Sequence, residues 1–118
     1  TAKVMEKLIK AIGSSFRRTF GDDPENSEWY PRIVNSQAFD RLTGYLHDGV
    51  VRFGGRTNSE TRYIEPSIID EVVGGPPVMQ EELFSPVLPV LTFSNLTEAV
   101  QYVNEREKPL ALHYLGVL

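Results

Sequence analysis

An α/β fold is predicted by three features of this chain. Apolar residues recur every four positions between residues 3 and 20, as they do along one face of a helix. Val87 to Phe93 (VLPVLTF) is a continuous apolar run of strand length, with the composition of a strand buried on both faces. From 87 to 115 the order is strand, capped helix, strand, which makes a βαβ unit of right-handed sense. A chain of 118 residues fits one domain and leaves no room for a second of ordinary size.

In chain order, Val4, Leu8, Ile12, Phe16 and Phe20 form the stripe of the first helix, widened by Met5 and Ile9. Arg17 and Arg18 sit in its last turn, where they suit the helix dipole, and Gly21 stops it. Residues 22–32 are polar, contain two prolines and read as a surface connection. Asn35 or Ser36 caps a second helix, with Phe39, Leu42 and Leu46 on its buried face. Asp48-Gly49 ends it. Val50–Phe53 reads as a short strand closed by Gly54-Gly55. Residues 62–72 read as extended, with Pro66 implying an edge or an irregularity. Gly74-Gly75-Pro76-Pro77 is the strongest break. Asn95 and Glu98 bracket a capping box, and Leu96, Ala99, Val100 and Val103 give the next helix its inner face. Pro109–Leu112 begins another apolar strand.

Composition excludes whole classes of function. Twelve Lys and Arg stand against 16 Asp and Glu, a net charge of −4, so no concentrated basic stripe is available for nucleic acid. No cysteine is present, which excludes disulfides, thiolate metal sites and a cysteine nucleophile in this polypeptide. No apolar run approaches the length of about 20 residues that a membrane-spanning helix needs. The amino end alternates charged and apolar residues, unlike a signal peptide. A start at Thr1 and an apolar end at Leu118 lead us to expect a piece of a longer protein.

Few residues carry chemistry. Glu81-Glu82 is the one carboxylate pair in an apolar setting, and neighbours in sequence cannot converge as a paired acid and base do. The structural reading is two acids at the positive end of a short helix after Pro76-Pro77. His47 and His113 are far apart, stand in no metal-ligand spacing, and read as a helix-end and a strand residue. Gly54-Gly55 and Gly74-Gly75 lack phosphate-cradling contexts and read as turns. Asn95-Leu96-Thr97 matches a glycosylation sequon, but the cap explains the same residues. Composition and spacing alone define a soluble α/β domain without a complete active site.

Pro77-Val78-Met79-Gln80-Glu81-Glu82-Leu83-Phe84-Ser85-Pro86 closely resembles PVMQEEIFGP, a signature of aldehyde dehydrogenases in the class 3 (fatty and aromatic aldehyde) branch. Four further blocks follow that branch in order. Pro31–Asn35 is similar to GRIVN, with Phe39 in the next helix. Gly54-Gly55 with Arg62–Ser67 resembles GG…RYIAPT. Asn95–Val100 resembles SLDEAI, and Val103–Leu112 resembles INRREKPLAL.

The resemblance implies that residues 1–118 are the later part of a catalytic domain, with a mostly parallel sheet and flanking helices. It implies oxidation of a small-molecule aldehyde to a carboxylic acid, with NAD or NADP as cofactor. Glu82 matches the glutamate that accepts hydrogen bonds from the nicotinamide ribose hydroxyls. Phe84 matches the phenylalanine beside the nicotinamide ring. It further implies a homodimer and a cytoplasmic location, with membrane-associated forms known in the branch. The nucleophilic cysteine, the general-base glutamate, the oxyanion-hole asparagine and the dinucleotide-binding domain are absent from these residues. The chain by itself is therefore expected to be inactive, and its unpaired apolar edges to favour association. Ser85 and Pro31 replace glycines of the pattern, and the match fades after Leu112. The competing expectation is a non-catalytic relative that serves as an interaction module.

Overall fold

A computed structural model describes residues 2–72 and 77–116. The order of elements is α1 (Ala2–Phe20), α2 (Ser36–Tyr45), β1 (Val50–Phe53), β2 (Thr57–Asn58), β3 (Tyr63–Ile64), β4 (Ser67–Asp70), β5 (Val87–Pro89) and α3 (Leu96–Asn104). The mixed α/β class stands. The three-stranded sheet has the order β1-β4-β5, with β1 antiparallel and β5 parallel to β4. The parallel ladder is thus joined by an antiparallel one, because the chain returns from β1 to β4 along the short β2–β3 hairpin.

The core is built where α2 crosses this sheet. Phe39, Leu42, Tyr45 and Leu46 come from α2 and its last turn, and meet Ile64, Ile69, Val72, Val78 and Val87. Asn35 caps α2 as the sequence suggests, its side chain accepting from the Ala38 N–H at 2.8 Å. β4 is the central strand, and all four of its residues are buried. Its two polar ends are satisfied. Ser67 accepts from the Gly55 N–H and donates to the Glu65 carbonyl, while Asp70 accepts from Arg52 Nε at 2.7 Å.

Pro66 lies in the break between β3 and β4. Gly54 crosses that break closely. It has φ +71°, and a Cβ there would stand 2.1 Å from the Pro66 carbonyl oxygen. A glycine turn is therefore required at Gly54, and Gly55 at φ +98° completes it. Gly74, Gly75 and Pro76 lie outside the described residues.

Three expectations about the carboxyl-terminal third are corrected. The run 87–93 forms a strand only over Val87–Pro89, and Leu88 is exposed while Val87 is buried. β5 is the edge of the described sheet, so only one of its faces meets the core. The strand expected from Pro109 is absent, and His113 is an exposed residue outside any strand. The βαβ unit is accordingly incomplete, because no neighbour among the described residues pairs with 109–115. Third, α3 is capped by Asn95 yet buries none of its residues, and Leu96 and Val100 of its presumed inner face are exposed. α1 differs along its length in the same way. Phe16 stacks on Phe53 and Phe20 meets the edge of Tyr30, but Val4 and Leu8 are exposed.

Candidate functional site

The segment 77–86 passes over α2 and is held to it at several points. A single three-residue helical turn, Pro77–Met79, opens it and buries Val78. Asp48, in the turn after α2, accepts from the Val78 N–H at 2.9 Å. At the far end the Pro86 carbonyl accepts from the Ser67 N–H at 2.8 Å, which leads directly into β5.

Between these ends the side chains alternate. Glu81 turns to α2, where its carboxylate accepts from the Tyr45 hydroxyl and pairs with Arg41. Arg41 and Tyr45 are one helical turn apart, and the guanidinium lies 5.9 Å from the Tyr45 ring centroid. The hydrogen bond from Tyr45, reinforced by Arg41, holds the Glu81 carboxyl below its ordinary range. The same bond, with burial second, pushes the Tyr45 hydroxyl up and keeps it a donor. Leu83 packs against the core.

Glu82 and Phe84 face the other way. Glu82 is exposed, and among the described residues its carboxylate has no hydrogen-bond or ion-pair partner. Phe84 is 89% exposed, an unusual position for an aromatic ring held on an anchored backbone. It stands at the border of a groove of about 860 Å³, lined also by Phe20, Tyr30, Val34, Leu42 and Ser85. Ser85, where the family pattern has glycine, accepts from the Val87 N–H at 3.2 Å. The site therefore offers one unpaired carboxylate and one exposed aromatic ring, two residues apart on a pinned loop.

The expected role of Glu81 is corrected. Pro77–Met79 is too short to present a charged end, and Glu81 lies beyond it. Its partners are Arg41 and Tyr45, more than 35 residues earlier, a pairing that local spacing cannot show. Asp48 and Tyr45 were likewise missed as supports. The sole signal was the placement of Arg41 and Tyr45 four apart on one helix.

Comparison with known proteins places this geometry in a family. The model of the aldehyde dehydrogenase family matches residues 1–113. The chain belongs to the aldehyde dehydrogenase family. It is 43% identical over 111 residues to aldehyde dehydrogenase family 3 member B1 of Rattus norvegicus, covering 94% of this chain and 24% of that protein. It is 45% identical over 110 residues to the dimeric NADP-preferring aldehyde dehydrogenase of Bos taurus, covering 93% of this chain and 46% of that one. A substrate-bound structure of Staphylococcus aureus AldH superposes with a TM-score of 0.83 at 39% identity, over 92% of this chain and 24% of that chain. The chain thus spans about a quarter of the first relatives it matches.

Proposed function

We propose that this chain forms the later part of the catalytic domain of an NAD- or NADP-dependent aldehyde dehydrogenase, which oxidises a small-molecule aldehyde to a carboxylic acid as a homodimer. The observation that carries this reading is the outward-facing pair Glu82 and Phe84 on a loop whose inward residues are anchored. A free carboxylate can accept from both hydroxyls of a vicinal diol, and an exposed ring restricts where a planar heterocycle sits. The chemistry that NAD or NADP supplies when bound is acceptance of the hydride. Glu82 would hold the nicotinamide ribose through its hydroxyls. Phe84 would wall the ring and keep water from that side. Solved relatives include an indole-3-acetaldehyde dehydrogenase structure with NAD+, 34% identical with a TM-score of 0.53 over 63% of this chain, which supports a dinucleotide site in such a fold. The nucleophile belongs to another part of such an enzyme, since this polypeptide contains no cysteine.

The test is coenzyme binding and turnover in the full-length enzyme that carries this segment. Glu82→Gln is expected to weaken coenzyme binding about ten- to a hundredfold, the scale of one lost charge-assisted hydrogen bond, and to lower kcat as well. Phe84→Ala is expected to slow hydride transfer more than it weakens binding. Unchanged coenzyme affinity and kcat in Glu82→Gln would remove the assignment.

A further inference from the structure

We propose that Tyr45, Arg41 and Glu81 form a clamp that positions Glu82 and Phe84 for the coenzyme, so that α2 sets the geometry of the site. The inference rests on the reading of Glu82 and Phe84 given above. Glu81 and Glu82 are adjacent, and the backbone between them sets the direction in which the second side chain leaves the loop. Glu81 can have only one orientation while it is held by a phenol and a guanidinium from successive turns of one helix. That helix is itself immobilised, because Phe39, Leu42, Tyr45 and Leu46 are in the core. Three residues before Glu81, the Val78 N–H is held by Asp48, so the clamp adds to a tie already made between this loop and the α2 end of the fold. Without it, Glu82 and Phe84 lie on an exposed stretch that keeps Leu83 against the core and the Pro86 carbonyl on Ser67 but loses its tie beside Glu82. A carboxylate that must meet two hydroxyls at once loses affinity when its backbone samples several orientations, since each must be frozen on binding.

The clamp is composed of groups that suit a permanent anchor. Tyr45 stays protonated and Glu81 stays ionised at neutral pH, each held so by the other. Arg41 adds charge and covers the Tyr45 ring. Glu81, Arg41 and Tyr45 are positioning residues; Arg41 also borders the groove beside Phe84.

The experiment uses the full-length enzyme with Tyr45→Phe, Arg41→Met, Arg41→Lys and Glu82→Gln. Two quantities are read: the coenzyme Kd by calorimetry and amide hydrogen exchange over residues 80–86. Exchange over Ser67–Asp70 reports whether the core is intact. Tyr45→Phe and Arg41→Met are expected to speed exchange over 80–86 and to raise Kd roughly five- to tenfold, with the core unchanged. Arg41→Lys, which keeps a cation beside Glu81, is expected to recover most of the affinity. If Glu82→Gln weakens coenzyme binding while the clamp variants bind normally, the clamp is refuted and the coenzyme assignment survives. Faster exchange with an unchanged Kd refutes it as well. If Glu82→Gln itself leaves Kd unchanged, the coenzyme assignment fails and the clamp's purpose with it.

Discussion

Two stretches of this chain end in environments opposite to those their composition suggests. Ser67–Asp70 has polar residues at both ends, and every one of its residues is buried. Leu110 to Leu115 is richer in large apolar side chains, yet Leu110, Leu112 and Leu115 are exposed. The difference is pairing. β4 has a strand on each side and α2 across one face, so all four residues are buried and its two polar side chains are hydrogen-bonded. Residues 109–116 meet no strand among the described residues and form no regular element. Apolar composition states only that a segment gains by burial. Whether it is buried depends on a partner of the right register.

The comparison is broken most severely in the centre. Ile69→Ala removes a fully buried side chain and is expected to cost about 2–5 kcal/mol of stability by denaturant titration. Survival of such a variant with wild-type stability would mean that β4 is not the centre of the core. Next is Gly54→Ala. Left-handed strain alone costs about 1–3 kcal/mol, and the new methyl would also meet the Pro66 carbonyl, so the same titration should show a loss of that size or more. Asp48→Ala leaves the Val78 N–H without its acceptor and is expected to cost about 1 kcal/mol.

A smaller effect comes from acid. Glu81 has a folded pKa below its ordinary range, so its anchoring contributes in full above that range and disappears as the pH falls through the folded value. The difference in denaturation midpoint between the wild-type chain and Glu81→Gln should therefore be present at neutral pH and vanish in strong acid. A difference independent of pH would show that the carboxylate's charge is irrelevant there. The smallest effect is expected at the far end, where Leu110→Ser should change stability by no more than about 0.5 kcal/mol, with loss of an exposed apolar side chain lowering any self-association seen by sedimentation.

Much of the architecture could be read in advance because its causes are local. The α1 period, the stop at Gly21, the Asn35 and Asn95 caps and the span of β1 each depend on side chains within a few residues of one another. Glu82 and Phe84 were legible only through the resemblance of the motif, since nothing in their own spacing marks them as outward-facing.

By itself the sequence determined the helices, their caps, the glycine turn and the family, because these follow from local hydrogen bonding and from motif order. The tertiary structure alone decided three things. It made Ser67–Asp70 the buried centre by satisfying Ser67 and Asp70 from Gly55 and Arg52. Among the described residues it left α3 with no buried residue and 109–116 with no strand to pair with. It also separated two adjacent glutamates, because Tyr45 and Arg41 reach Glu81 across about 40 residues of chain and turn its neighbour outward. Contacts between residues so distant in sequence depend on how the elements pack, and no local pattern encodes them.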